Sequence, residues 1–127
     1  MGADTGREGT GFRELRVWQE AIALAGAVLA IADRMPIRYA SLTDQLLRAA
    51  TSVHANIAEG AWHRSPREFV RFLRIARASL VELESHVAFV LNAGLASTSD
   101  ARRVTDRTRR IDQLLRGLVR AIQSSPR

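Results

Sequence analysis

The chain has 127 residues, of which 46% are hydrophobic and 25% charged, as expected for one soluble domain with a single core. It contains no cysteine, which excludes disulfides, thiolate nucleophiles and thiolate metal sites. All 19 basic residues are arginine against 13 acidic residues, and the net charge of +6 favours an anionic partner such as nucleic acid. The absence of lysine itself is explained more simply by codon bias in a GC-rich genome.

The two ends of the chain differ from its middle. Residues 1–11 are polar and Gly-rich, and we expect a disordered N-terminal tail there; residues 124–127 are expected to fray. Neither the N-terminus nor the longest apolar run, residues 21–32, resembles a signal peptide or a membrane span. We therefore expect a cytoplasmic protein without membrane contact, whose folded part covers residues 12–123.

The first predicted helix covers residues 12–33 and is unusually apolar. Its residues 21–32 are apolar or glycine on every side, more than one small bundle can bury. This excess predicts a subunit interface, although an exposed alanine-rich face would give the same pattern. Spacings of three and four predict a core stripe of Phe12, Leu15, Trp18, Ile22, Ala25 and Leu29.

The second predicted helix covers residues 41–59. Ser41, with Asp44 three residues later, is a candidate N-terminal cap, and Gly60 stands where a helix C-terminal glycine is expected. The predicted core stripe is Leu42, Leu46, Ala49, Val53 and Ile57.

The third predicted helix has the clearest start in the chain. Ser65 and Glu68 form a capping-box pattern around Pro66, and Gly94 is expected to end the helix. The predicted core stripe of this helix is Phe69, Phe72, Leu73, Ala76, Leu80, Leu83 and Val87. The fourth begins near residues 97–100 and runs to about residue 123. Since no segment alternates with a period of two and the connections are short, the sequence predicts an all-α, antiparallel up-down-up-down four-helix bundle.

A polar line follows one flank of the second helix, beside its apolar stripe. We interpret it as a buried hydrogen-bond network that fixes helix register, with a ligand or catalytic site as the alternative. The predicted members are Gln45, Ser52, Asn56 and Glu59, with Ser79 and Glu82 as partners on the third helix.

Arginines cluster on the third and fourth helices. At 100° per residue, Arg67, Arg71 and Arg74 fall together opposite the apolar stripe of the third helix. A phosphate-binding surface and an ordinary solvated face both fit this pattern. The candidate nucleic-acid-binding residues are Arg67, Arg71, Arg74, Arg103, Arg107 and Arg110. Trp62, in the predicted loop before the third helix, either stacks on a base or packs over the bundle end, and we expect the latter.

No catalytic or metal motif is present. There is no Glu-x-x-His pair as in di-iron bundles, and His54, His63 and His86 lack metal-ligand spacing. A phosphate-cradling glycine loop and a nucleophile elbow are also missing. We therefore expect neither an enzyme nor a bound cofactor.

The segment Gln-Leu-Leu-Arg-Ala-Ala-Thr-Ser-Val at residues 45–53, followed by Asn-Ile-Ala-Glu-Gly at 56–60, resembles the signature of the 23S rRNA intervening-sequence protein family of bacteria. The resemblance extends over residues 12–95, with departures at Arg38 and His54. It implies a four-helix bundle. A related branch, the accessory variability determinant of diversity-generating retroelements, is a basic homopentamer that binds a reverse transcriptase and nucleic acid. By resemblance we expect a homopentamer here too.

Two functions remain open at this point. The first is a homo-oligomeric scaffold that binds RNA or DNA through its arginine-rich helix faces. The second is a protein-interaction adapter that docks a partner such as a reverse transcriptase, without direct nucleic-acid binding.

Overall fold

The structure, a computed structural model, describes residues 11–124, which form four α-helices and no strand. The helices are α1 (Arg16–Arg34), α2 (Ala40–Trp62), α3 (Pro66–Asn92) and α4 (Thr98–Ser124). Short 3-10 helices, Gly11–Glu14 and Ile37–Tyr39, precede α1 and α2. The predicted tails lie outside the described residues, except that Gly11 belongs to the first 3-10 helix and Ser124 is the last residue of α4.

The helices form a closed bundle in which each one packs on its neighbours in the chain and α4 packs back on α1. Two ion pairs show that α1 and α4 are antiparallel. Arg34 near the end of α1 meets Asp100 at the start of α4, whereas Glu20 near the start of α1 meets Arg110 further along α4. The all-α, four-helix architecture expected from the sequence is therefore confirmed.

All four helices contribute to one apolar core. The predicted stripes of α2 and α3 are buried or half-buried, and Leu46, Ile57, Leu73 and Leu83 are fully buried. Full burial of one such side chain stabilises the fold by about 1.5–3 kcal/mol. The core is therefore the main stabilising feature of the bundle.

The predicted core stripe of α1 is wrong in its second half, whereas Leu15 and Trp18 from its first half do pack against the core. The buried face is Val17, Ala21, Leu24, Val28 and Ile31. Ile22 and Leu29 from the predicted stripe are instead 40% and 49% exposed. The spacing rule fails because both faces of α1 are apolar, so periodicity cannot distinguish the core side. None of the helices within residues 11–124 is long and apolar enough to cross a bilayer.

The ends of α3 form as predicted. The Ser65 side chain accepts a hydrogen bond from the backbone N–H of Glu68 at 3.2 Å, and Pro66 occupies the first helical position. At the other end Gly94 has a φ of +77°, in the left-handed region that glycine adopts without strain. The N–H of Leu95 then reaches the carbonyl of Val90 at 2.8 Å, as in a Schellman cap.

The ends of α2 differ from the prediction. The helix begins at Ala40, directly after the 3-10 helix, and Ser41 does not cap it. It also continues through Gly60 to Trp62. Gly60 serves close packing instead of termination, because a Cβ at this position would lie 2.8 Å from the Cβ of Phe72 on α3.

Candidate nucleic-acid interface

Three arginines of α3 lie side by side on its solvent face; we call Arg67, Arg71 and Arg74 the α3 arginine face. Leu73 is fully buried in the core and Val70 is buried beside the groove, whereas the three arginines, spaced by four and three residues, align on the exposed side of the helix. Together with Ile122 and Gln123 near the end of α4, they line an open groove of about 660 Å³. The structure thus gathers the three predicted residues at one concave surface.

The groove carries an excess of positive charge. Arg71 forms an ion pair with Glu68 at 3.1 Å, and its guanidinium lies 4.5 Å from the ring centroid of Phe72. The hydrogen bond from Arg71, assisted by the charges of Arg71, His63 and Arg67, lowers the pKa of Glu68. Arg67 and Arg74 are exposed and form no ion pair with any residue in the range 11–124. Two of the three cations are therefore free to meet an anion.

The predicted arginines of α4, which we call the α4 arginine row, are Arg103, Arg107 and Arg110. Arg107 and Arg110 approach the Glu20 carboxylate of α1 at 4.0 and 3.4 Å. The Nε of Arg107 is buried with no hydrogen-bond partner among the described residues. Arg103 is exposed and unpaired within that same range.

The two arginine clusters do not merge into one surface. On α4, Ile122 in the groove lies about a third of a turn around the helix from Arg110. The α4 arginine row faces α1, whereas the α3 arginine face borders the far end of α4. The sequence predicted arginine clusters on both helices but did not show that they border different neighbours.

Further arginines form ion pairs with carboxylates of α4. Asp112 accepts from Arg77 of α3 at 2.8 Å and from Arg116 at 2.9 Å, and Arg34 of α1 meets Asp100 at 2.6 Å. Each exposed pair contributes about 0–1 kcal/mol. These arginines are therefore partly neutralised within the bundle, and are less available to an external anion than Arg67 and Arg74.

The polar line contains a short, directed hydrogen-bond chain between α2 and α3. The Asn56 amide donates to the Ser52 hydroxyl at 3.0 Å, and the hydroxyls of Ser52 and Ser79 lie 2.8 Å apart. Ser79, which is buried, donates in turn to the carbonyl of Ile75 at 3.2 Å. Each hydroxyl thus has both a donor and an acceptor partner. This arrangement satisfies polar groups at the helix seam and leaves no reactive group unpaired.

Three predicted members of the polar line do not take part in these hydrogen bonds between α2 and α3. Gln45 and Glu59 are exposed, and their side chains form no hydrogen bond within residues 11–124. Glu82 is also exposed and pairs with His86 at 3.4 Å. These three lie further from the seam, where water satisfies their polar groups.

A polar contact between α3 and α4 was missed at the sequence level. The buried Thr108 hydroxyl contacts the Glu84 carboxylate, and lies 2.8 Å from the carbonyl of Thr105. The signal was present, since Thr108 falls between Val104 and Ile111 in the apolar stripe of α4. A threonine at such a position needs a polar partner across the seam.

Trp62 is the most exposed aromatic side chain within residues 11–124. It is the last residue of α2 and is 70% exposed, so it does not pack over the bundle end as predicted. Its ring meets His63 edge-on at a centroid distance of 5.2 Å. His63 in turn stacks on Phe72, again at 5.2 Å and with an interplanar angle of 11°.

The part of the chain between residues 11 and 124 contains no group of three His, Cys, Asp or Glu side chains that could hold a metal ion. Among the histidines, burial lowers the pKa of His54, which therefore stays neutral to lower pH than a free imidazole. The site features that remain are cationic and aromatic.

Comparison with known proteins agrees with the fold. A crystal structure of a protein of unknown function from Bacteroides thetaiotaomicron, assigned to the S23 ribosomal protein family, superposes with a TM-score of 0.74 at 20% identity, covering 81% of this chain and 97% of that one. No curated protein sequence matches at a significant level. A sequence profile of the 23S rRNA-intervening sequence proteins matches residues 13–117. The chain therefore belongs to the 23S rRNA-intervening sequence protein family.

Proposed function

We propose that this protein is a non-enzymatic, basic, homo-oligomeric scaffold of the cytoplasm that binds nucleic acid through its arginine-rich helix faces. The observation that carries the proposal is the α3 arginine face, where Arg67 and Arg74 border an open groove without an acidic partner. Arginine is suited to this role because its planar guanidinium binds phosphate with two parallel hydrogen bonds. The α4 arginine row adds a second cationic region, although Glu20 offsets part of its charge.

Self-association, with a homopentamer as the expected form, is the second part of the proposal. Ile22 and Leu29 expose apolar surface on α1, and Val81 and Phe89 are 69% and 57% exposed on α3. Apolar surface of this kind on several helices is typical of a protein–protein contact. Assembly would repeat the α3 arginine face in every copy, so that several weak phosphate contacts add up to useful avidity.

A salt titration tests the nucleic-acid part. We expect wild-type protein to bind a mixed-sequence single strand, with the logarithm of affinity falling linearly with the logarithm of salt concentration, by about 0.7 per phosphate contact. Replacing all three residues of the α3 arginine face by glutamine should weaken binding and make the slope shallower. The matched control replaces Arg16, Arg38 and Arg48, which lie exposed elsewhere, and removes the same total charge.

The control separates a local site from overall charge. If both triple variants lose affinity equally, binding follows net charge and the α3 arginine face has no special role. If the wild type does not bind at low salt, the nucleic-acid proposal is wrong.

The second candidate function is an adapter that docks a protein partner such as a reverse transcriptase. The exposed Val81 and Phe89 on the outer face of α3 favour it, because apolar side chains on a charged helix are common in protein interfaces. A Phe89→Ser variant that keeps its mass and its nucleic-acid affinity but loses a co-purifying partner would support this role.

A further inference from the structure

We propose that Trp62 and the α3 arginine face form one binding site for single-stranded nucleic acid, in which an unpaired base stacks on the Trp62 indole while the arginines hold adjacent phosphates. The inference rests on the proposed function and names the class of nucleic acid that the groove selects. It requires that the Trp62 indole lies outside the contacts between subunits.

A continuous row of planar groups links the tryptophan to the arginines. Trp62 meets His63 edge-on and His63 stacks on one side of the Phe72 ring, with centroids 5.2 Å apart in both cases. The Arg71 guanidinium lies 4.5 Å from the centroid of the same Phe72 ring. Arg71 also lines the cationic groove, so the row of planar groups runs from the exposed indole to one edge of the groove.

The inner part of this row is fixed, whereas its outer end is open. Phe72 is 8% exposed and belongs to the packed seam beside Gly60. His63 is half-buried, while Trp62 is 70% exposed. The indole thus contacts a half-buried ring that stacks on the core and keeps most of its own surface in water, so a flat ligand can bind without rearrangement of the core.

The surroundings of the indole favour a nucleobase over an apolar side chain of a protein. The charged residues of the nearby groove are Arg67, Arg71 and Arg74 against Glu68 alone, which leaves an excess of two positive charges. A strand of nucleic acid supplies a flat aromatic face and a phosphate at each step, and so matches both features. Bases within a duplex are already stacked on one another, so the site discriminates in favour of single strands.

Fluorescence of Trp62 provides a direct test. The protein has only two tryptophans, and the other, Trp18, packs against Phe12 at a centroid distance of 5.2 Å. In a Trp18→Phe variant the emission reports on Trp62 alone. Titration with an oligothymidylate should quench it, whereas an abasic strand with the same number of phosphates should bind without quenching.

Affinity provides the second readout and uses protein that retains Trp18. Stacking of one base on an aromatic side chain corresponds to about a 5- to 150-fold gain in affinity. We expect wild-type protein to prefer the oligothymidylate over the abasic strand by a factor in this range. A Trp62→Leu variant should lose the preference while its affinity for the abasic strand and its mass stay unchanged.

Each outcome bears on the proposal. Equal affinity of wild-type protein for the two strands, with unquenched Trp62, overturns base stacking but leaves phosphate binding intact. A fall in oligomer mass for Trp62→Leu places the indole between copies and also overturns the site. Absence of binding to either strand overturns both the stacking site and the proposed function.

Discussion

Replacing Gly60 by alanine tests how closely α2 and α3 must approach each other. The new methyl group would lie 2.8 Å from the Cβ of Phe72, 3.0 Å from Cδ1 of Phe69 and 3.3 Å from the carbonyl oxygen of Phe69. The ring of Phe69 can rotate away. The Cβ of Phe72 moves only with the backbone of α3, so the two helices have to separate at this point.

The expected magnitude follows from two opposing effects. Overpacking of a filled seam costs about 1–3 kcal/mol. Alanine is a better helix former than glycine by about 1 kcal/mol, which offsets part of this cost. Gly117 on α4 supplies the control, because no heavy atom lies within 4 Å of a Cβ built there. The difference in unfolding free energy between Gly60→Ala and Gly117→Ala therefore isolates the steric cost.

Urea unfolding followed by circular dichroism measures this difference. All three proteins should be compared at one protomer concentration, since self-association makes apparent stability concentration-dependent. The midpoint should be highest for Gly117→Ala, intermediate for wild type and lowest for Gly60→Ala. If Gly60→Ala proves as stable as Gly117→Ala, the close contact between α2 and α3 does not constrain the bundle.

Three further predictions concern assembly, the polar chain and pH. Light scattering of wild-type protein should give a mass several times 14.0 kDa, and Leu29→Glu should reduce it; a monomeric wild type would contradict self-association. Ser79→Ala should lower the unfolding free energy by about 1–3 kcal/mol and Asn56→Ala by about 0.5–1.5 kcal/mol, because only the former leaves the Ser52 hydroxyl without its acceptor. If thermal or urea unfolding shows the larger loss for Asn56→Ala, the direction assigned to these hydrogen bonds is wrong. Burial lowers the pKa of His54 in the folded protein, so the unfolded chain takes up the imidazole proton at a higher pH than the folded protein does. The free energy of unfolding therefore falls as the pH drops through 6.5. The difference between the urea midpoints at about pH 7.5 and about pH 5 should therefore be smaller for His54→Gln than for wild type. An equal difference in the two proteins would assign the pH dependence to other groups.

Where a helix has one apolar face and clear capping residues, the sequence alone predicted its bounds and its buried side. Ser65, Pro66 and Glu68 predicted the start of α3, and its buried stripe followed from spacing alone. Such local signals depend on the backbone of a single turn and do not need the rest of the fold. The same holds for Gly94, whose positive φ ends the helix.

The sequence failed where the answer depended on a neighbouring helix. The spacing of α1 fits two apolar faces, and only the packing of α2 and α4 shows that Leu24 is buried and Leu29 exposed. Gly60 is suitable for ending a helix, but the nearby Phe72 gives it a different role. The contact of Thr108 with Glu84 likewise joins two helices that are distant in sequence.

The same limit applies to the candidate interface. The spacing of Arg67, Arg71 and Arg74 correctly placed them on one side of α3. It did not show that Glu68 engages Arg71, or that Glu20 of α1 approaches Arg110. A count of charges cannot tell paired from unpaired cations.

The diagonal position of α1 and α3 in the bundle has a consequence for symmetry. Each of these helices packs on α2 and α4, and each carries an exposed apolar side chain, Leu29 on one and Phe89 on the other, so the two side chains belong to separate patches. In the proposed ring of five identical copies no two-fold axis relates neighbours, and every junction joins two different patches. Copies altered at Leu29 and copies altered at Phe89 would then each keep one intact surface, and a mixture of the two could still form a single junction. Assembly of such a mixture would end at dimers, because the two outer surfaces of each dimer carry the altered patches.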